Sequence, residues 1–374
     1  MKKLLSFCLC LTIFIPCVRV TAVSTSAKAA IVINGDTGEI IYAHNENEKL
    51  PMASTTKIMT ALLLCEKGDL EKEITVTAEM LRVEGSSMGL LAGDKVTLHD
   101  LLYGMMLASG NDAANVTAYT LGGTIDGFVK MMNEKAVELG LENTHFETPS
   151  GLDGAEHYTT AYDLARLAMY AMANEEFAKA ASSKTATLNY GNPPYKRTLS
   201  NHNKLLGSFD GAAGVKTGFT KKSGRCLVSA AKRDGKFVIA VTLNDPNDWL
   251  DHKNLLETGL NAVTLTEVNP ERDSYSIPVI GGNAEKLDIK IPSTTFSSLD
   301  GEKIECYINL PQFVYAPITK GDKIGSIVYK KGDNIIKETA LTTETAIGAV
   351  SQKKSFKACF AENLSYIFSG IWEK

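Results

Sequence analysis

Three short groupings of polar residues in this sequence could do chemistry together. Ser54-Thr55-Thr56-Lys57 sets a hydroxyl and an amine three residues apart. On a helix that starts near Ser54, positions i and i+3 share a face. A serine hydroxyl is a weak nucleophile until a base takes its proton. Lysine is such a base only when neutral, so its ordinary pKa of about 10.4 must fall to near 7, a change of about 4 kcal/mol. Burial and a second nearby cation push that way, and a helix N-terminus favours negative charge near Ser54. Ser109-Gly110-Asn111 ends one helical run and precedes another. A loop there can present a hydroxyl to relay a proton and an amide to hold a carbonyl. Lys216-Thr217-Gly218 puts a cation and a hydroxyl on a β-run whose glycine permits close approach by a ligand. Taken singly, each grouping is also ordinary: a cap with a surface lysine, a helix C-cap, a strand with a charged edge.

The elements that must position these residues are legible in outline. Ile31–Asn34 and Ile40–Ala43 flank the turn Asp36-Thr37-Gly38, which predicts a hairpin. Ile58, Leu62 and Cys65 then repeat at helical spacing. Leu98–Met106, Thr124–Leu139 and Thr160–Ala173 read as helices with Thr97, Thr124 and Thr160 as caps. Beyond residue 182 the pattern turns to β. Cys226–Ala231 and Phe237–Leu243 flank Arg233-Asp234-Gly235-Lys236, a second hairpin, and Trp249–Leu260 returns to helix. The expected fold class is α+β: a helical lobe inserted between β segments of one antiparallel sheet. Asn269-Pro270 marks a boundary, and short β-rich runs from Ser276 to about Thr342 predict a small all-β domain.

Composition bounds the rest. The chain has 374 residues, a net charge of -4 and 44% hydrophobic residues, which excludes wholesale disorder. Mild acidity argues against a nucleic-acid binder. Only the first stretch is a long apolar run, which excludes a polytopic membrane protein. Lys2, Lys3, the apolar Leu4–Val18, and the small-residue sites Val20-Thr21-Ala22 and Ala27-Lys28-Ala29 form the pattern of an export signal. Its removal takes Cys8, Cys10 and Cys17 and leaves four scattered cysteines with no C-x-x-C pair, so no disulfide framework is expected. The six histidines form no H-E-x-x-H and no Cys/His cluster, so no metal and no cofactor is expected. At the far end, Phe356, Phe360, Leu364, Ile367 and Ile371 fall on one helical face beside Lys353, Lys354 and Lys357. That helix suits a membrane interface, or else packs on its own protein. The expected organisation is a signal peptide at 1–29, a catalytic domain at 30–268, an all-β domain at 274–345 and an amphipathic anchoring helix at 351–374.

In this order the three groupings carry far more weight than singly. S-x-x-K, S-D-N and K-T-G mark class A β-lactamases and penicillin-binding proteins, and here the second is S-G-N. With LPMASTTKIMTA from Leu50, LASGNDAA from Leu107, GLDGAEHYTTAYDLA from Gly151 and VKTGFT from Val215, the chain resembles one family in particular. These are the low-molecular-mass penicillin-binding proteins that act as serine-type D-Ala-D-Ala carboxypeptidases. The resemblance extends from about Ala30 to the end. It implies that Ser54 attacks the peptide bond between two D-alanines of a peptidoglycan stem peptide, with Lys57 as general base. It implies that Ser109 and Asn111 assist proton traffic and alignment, and that Lys216 and Thr217 bind the terminal carboxylate. Gly218 and Phe219 complete the substrate-binding strand, and the N–H groups of Ser54 and Phe219 form the oxyanion hole. The implied partners are stem peptides and β-lactams, and the implied location is the outer face of the bacterial cytoplasmic membrane.

Two departures stand out. Some relatives carry Arg where His202 stands, and some carry a carboxylate-holding Arg near Asp248–His252, where this chain has Asp251-His252. Two competing functions are a β-lactamase and a non-catalytic wall-binding homologue. Class A β-lactamases need a Glu to activate the deacylating water, and Glu147 lies in the right part of the chain but without the E-x-x-L-N form. Intact Ser54 and Lys57 argue against lost turnover.

Overall fold

The computed structural model describes residues 24–299, 301 and 303–350. The expected signal peptide and the expected helix at 351–374 lie outside the described residues. The chain divides into two compact units, at Ala262/Val263.

The first unit is built on a five-stranded antiparallel sheet. Its strands are β1 (Ala29–Asn34), β2 (Ile40–His44), β7 (Ala212–Thr220), β8 (Gly224–Arg233) and β9 (Lys236–Leu243), in the order β2-β1-β9-β8-β7. Both expected hairpins are present. Ile33 pairs with Ile40, and Arg233 pairs with Lys236. In the second turn both Asp234 and Gly235 have positive φ, +52° and +77°. Two successive left-handed residues match the right-handed twist of the strands they join.

Every residue of β1 is buried, so the sheet is covered on both faces. Ala29, Ile31 and Ile33 join the main core with Ile239 and Val241. Val32 points the other way: a Cβ on Gly259 would lie 2.9 Å from it. That second face is covered by α8 (Asp248–Ala262) through Leu255, Leu256 and Leu260.

The helical lobe fills the interval between β2 and β7. It comprises α1 (Lys57–Lys67), α2 (Leu98–Met106), α3 (Asn111–Gly122), α4 (Ile125–Glu138), α5 (Ala161–Met172) and α6 (Glu175–Ser182), with a short α7 (Leu205–Ser208) before β7. The expected threonine caps are in place. Thr97 accepts from Asp100 N in a full capping box, and Thr124 and Thr160 accept from Gly127 N and Asp163 N. Each satisfies an N–H that the first turn leaves orphaned. Helix α1 runs through the middle, with Lys57 to Leu64 all buried.

The β segments named from the sequence share one sheet as expected, but the first unit also has a second sheet that the sequence pattern does not predict. β3 (Glu73–Thr75), β4 (Lys95–Thr97), β5 (Thr185–Gly191) and β6 (Pro194–Ser200) form a separate four-stranded sheet. The β5–β6 hairpin pairs residue by residue from Thr185↔Ser200 to Gly191↔Pro194 and then meets β4, not β7.

The second unit is all-β, with strands β10 (Thr264–Val268), β11 (Ser274–Ile280), β12 (Lys286–Lys290), β13 (Thr294–Ser298), β14 (Ile304–Asn309), β15 (Val314–Tyr315), β16 (Lys323–Lys331) and β17 (Asn334–Thr342). Alternate residues such as Ile277, Val279, Leu287, Ile289, Ile327 and Tyr329 form its core. The unit starts earlier than Asn269-Pro270 suggested, because β10 pairs with β13 along its whole length.

Candidate active site

The chain around the nucleophile is tighter than an α-helix start. Ala53–Thr56 is a 3₁₀ turn, and the α-helix begins at Lys57. Residues i and i+3 eclipse each other in a 3₁₀ turn. That brings Lys57 Nζ to 3.0 Å from Ser54 Oγ. The preceding residue, Ala53, has φ +48°, a conformation costing about 1–3 kcal/mol that persists only when the surroundings fix it. They do. Thr56 Oγ1 donates to Ala53 O at 2.8 Å, and Gly151 packs so close that a Cβ there would lie 1.9 Å from that oxygen. Behind Thr56 sits buried His157. Its Nδ1 accepts from Glu147 N at 2.9 Å, so Nε2 carries the proton and donates to Thr56 Oγ1 at 2.8 Å. Burial pushes His157 down to about 4, which keeps this arrangement neutral.

Lys57 is fully buried. Its pKa is held well below the ordinary value, first by desolvation and then by the charge of Lys216, against an opposing pull from Asp112. A neutral amine has two N–H bonds and one lone pair. Asn111 Oδ1 and Ser150 O, each at 2.6 Å, take the two N–H bonds. The lone pair is then left for the Ser54 hydroxyl, the arrangement a general base requires.

Ser109 and Asn111 come from the α2–α3 turn, where Ser109 has φ +57°. Asn111 is fixed on its other side, with Nδ2 donating to Glu84 O at 2.6 Å and N donating to Ser86 O at 2.7 Å. Lys216 is buried on β7, where burial lowers its pKa to about 7. Its ammonium donates to Ser109 Oγ at 3.0 Å and Thr217 O at 2.9 Å, so it faces inward and is not the charged edge of a strand. Gly218 lies against the nucleophile's turn: a Cβ there would lie 3.0 Å from Ser54 N and 3.1 Å from Ala53 Cβ. Only a residue without a side chain lets the strand approach so closely.

These groups open on a cleft of about 350 Å³ whose lining includes Ser54, Ser86, Ser109, Thr217, Gly218 and Phe219. His202, Lys204, Arg225, Asp248 and Trp249 line it as well. Phe219 is 66% exposed at the rim. His202 has its pKa lowered by burial and by Lys216. Asp251 and His252 are not in the cleft lining. His252 is fully buried between Ser229 and Thr242. Asp251 Oδ2 accepts from Ser26 N at 2.6 Å and Thr25 Oγ1 at 3.0 Å, and the Ser26 hydroxyl, with one proton to give, lies 2.8 Å from Asp251 Oδ2 and 2.7 Å from Asp245 Oδ1.

Sequence reasoning missed Asp112. Its carboxylate accepts from Ser87 Oγ at 2.6 Å, from the N–H groups of Met88, Gly89 and Leu90 at 3.0, 3.1 and 3.1 Å, and from Ala113 N at 2.9 Å. It ties the loop beside the nucleophile to the start of α3. The separate sheet holds the same loop, through Tyr190 Oη to Met88 O and Arg197 to Gly89 O. An Asp in a helix's first turn reads as ordinary dipole matching, so no sequence signal pointed to the loop. Arg225 and Ser150 were missed for similar reasons: one is a β-strand residue, the other contributes only a carbonyl.

A serine at the head of a helix, a buried lysine of lowered pKa three residues on, and a second buried lysine on the facing edge strand define a serine acyl-transfer enzyme. Residues 17–247 match the D-alanyl-D-alanine carboxypeptidase family, and residues 271–349 match the C-terminal domain of penicillin-binding protein 5. The chain belongs to the D-alanyl-D-alanine carboxypeptidase family and is a serine peptidase of that type. It is 31% identical over 339 residues to a D-alanyl-D-alanine carboxypeptidase of Bacillus subtilis, covering 87% of each chain. It is 31% identical over 345 residues to one of Escherichia coli, covering 86% of this chain and 84% of that one. Among solved structures, penicillin-binding protein 5 from Haemophilus influenzae superposes with TM-score 0.63 at 26% identity, over 88% of this chain and 99% of that one. The Streptomyces K15 DD-transpeptidase superposes with TM-score 0.61 at 33% identity, over 64% of this chain and 98% of that one.

Proposed function

We propose that this chain removes the terminal D-alanine from peptidoglycan stem pentapeptides through an acyl-enzyme on Ser54, and that penicillin acylates the same oxygen. The observation that carries this reading is the place of Lys57 Nζ, 2.6 Å from Asn111 Oδ1, 2.6 Å from Ser150 O and 3.0 Å from Ser54 Oγ, so that in its neutral form two N–H bonds are taken and the lone pair is left for Ser54. In the first step Ser54 Oγ bonds to the carbonyl carbon of the penultimate D-alanine and its proton passes to Lys57 Nζ. The N–H groups of Ser54 and Phe219 receive the developing oxyanion, a contribution of about 3–4 kcal/mol per donor in other enzymes. The C–N bond then breaks as the leaving D-alanine nitrogen takes the proton held by Lys57, relayed by Ser109, which hydrogen-bonds Lys216 and lines the cleft. Thr217 and Lys216 receive its carboxylate. Lys57, neutral again, takes a proton from water as the water oxygen bonds to the acyl carbon, and that proton passes to Ser54 Oγ as the ester bond breaks and the shortened peptide leaves.

A β-lactamase reading draws less support. Glu147 Oε2 accepts from Glu156 N at 3.0 Å and packs against Gly154, and Glu147 is not in the cleft lining. The reading extends to place: export by the N-terminal signal, and attachment to the outer face of the cytoplasmic membrane by the amphipathic segment 351–374. Intact mass spectrometry with penicillin, followed by assay of D-alanine released from a pentapeptide, tests the chemistry. Ser54→Ala should lose both signals, and a stoichiometric adduct on that variant would overturn the assignment. Co-sedimentation with anionic vesicles tests the anchor. Protein truncated after Val350 should stay in solution while the full chain sediments.

A further inference from the structure

The proposed reaction needs the substrate's terminal carboxylate held while its peptide bond is attacked, and the two positions where relatives carry an arginine for this are not cationic here. His202 is disfavoured as a cation by burial and by Lys216. Asp251 and His252 are committed elsewhere, to Ser26 and to Ser229 and Thr242. One guanidinium nevertheless lines the cleft, and it comes from a different strand. Arg225 stands on β8 directly opposite Phe219, and Leu227 stands opposite Thr217. Arg225 is therefore the diagonal cross-strand neighbour of Thr217 on the same face, about 7–8 Å away between Cα atoms, within reach of a long side chain.

The orientation of Arg225 is set by α8. Its Nη2 donates to Asp248 Oδ1 at 2.8 Å and Oδ2 at 2.9 Å, and its guanidinium lies 5.6 Å from the Trp249 ring centroid. Asp248 is itself buried and spends one oxygen on Trp249 N. Asp248 thus engages a single nitrogen. Nε is buried without a partner among the described residues, but the side chain as a whole is 41% exposed and both contacts to Asp248 use Nη2, which leaves the Nη1 end for a ligand. A guanidinium has five N–H donors in a rigid fork suited to a carboxylate, so a held Arg225 still has donors to offer.

We propose that Arg225 is the second cationic anchor for the substrate's terminal carboxylate, beside Thr217 and Lys216, with Asp248 fixing its guanidinium at the mouth of the cleft. This rests on the carboxypeptidase reading and adds to it a residue that the family's own motifs do not contain. It places a cation for the carboxylate on β8, in a cleft that Lys204 also lines, while the start of α8 supplies the counter-charge to Arg225.

The test compares a pentapeptide ending in free D-alanine with the same peptide ending in D-alanine amide, in wild type, Arg225→Gln, Asp248→Asn and the double variant. Losing a charge-assisted hydrogen bond should lower kcat/KM for the free acid about 10- to 100-fold in Arg225→Gln, mainly through KM. The amide should change less than about twofold, and the double variant should remain impaired on the acid. Equal losses on acid and amide would overturn the proposal, since Arg225 would then only support the fold. Recovery in the double variant would also overturn it, since Arg225 would then only neutralise Asp248. If wild type releases no D-alanine but is acylated by penicillin, the carboxypeptidase reading fails by itself. The anchor is then read from acylation by benzylpenicillin against its methyl ester, where Arg225→Gln should slow only the former; equal slowing would overturn the anchor.

Discussion

Asp112→Asn should separate two jobs that one carboxylate does. Oδ2 accepts from Ser87 Oγ, Gly89 N and Leu90 N, and Oδ1 accepts from Met88 N and Ala113 N. An amide has one oxygen. With its nitrogen in place of Oδ2, Leu90 N loses its acceptor while Gly89 N keeps Ser87 Oγ at 2.8 Å; with the nitrogen in place of Oδ1, Met88 N and Ala113 N lose theirs. A buried, unsatisfied donor costs about 1–3 kcal/mol. Taking the orientation that strands one donor, the loss is about 2 kcal/mol, which lowers the midpoint of thermal unfolding by roughly 4–8 °C for a unit of this size. The second job is electrostatic. The Asp112 charge raises the Lys57 pKa against burial and Lys216. Without that charge the free amine persists to lower pH, so the acid limb of the acylation rate should move down. Lys216→Ala removes a cation that lowers the Lys57 pKa and should move the same limb up. Stopped-flow acylation by penicillin across pH, with calorimetry on the same samples, reads both effects. An unchanged melting midpoint, or an acid limb that moves up in Asp112→Asn, would refute the reasoning.

Two further outcomes follow from the buried titratable groups. Lys57→Met should fold and lose about 100- to 10,000-fold in acylation rate, the usual contribution of a general base; the fully buried site suits methionine better than arginine, whose larger head would carry a fixed charge inside. Stability should fall on acidification from about pH 6.5 toward pH 4. His157, depressed from 6.5 to about 4, is neutral in the folded chain while the unfolded chain binds a proton, which is about 3 kcal/mol for this residue alone. His252, depressed to about 3, adds to the same slope, and denaturant titrations at successive pH values should show His157→Gln to be less acid-sensitive than wild type over that window.

The catalytic groups were legible because their spacing is local. Ser54 and Lys57 face each other through a single turn, and the capping threonines act within three residues of their own position. What stayed hidden depends on distant chain. Ser150 supplies only a carbonyl, and any residue type has one. His157 acts through Thr56, far away in sequence. The β5–β6 hairpin alternates like any strand pair, and nothing local says which sheet it joins. Arg225 is a strand residue whose meaning comes from the cross-strand register with Phe219 and from the first turn of α8.

The grip of Asp245 and Asp251 on Thr25 and Ser26 bears on how the chain could be trimmed at its front. Ala27 and Ala29 are buried, Lys28 N donates to Leu243 O at 3.1 Å, and β1 begins at Ala29 between two partner strands. A peptidase cutting after Ala29 would have to act before β1 is laid down, and its product would lack the residues that fasten the front of the sheet to α8. The upstream small-residue site, Val20-Thr21-Ala22, leaves that fastening whole. Of the two candidate cleavage sites only the upstream one is compatible with this fastening, so if the proposed export signal is removed, Edman degradation of the product should read Val23 first.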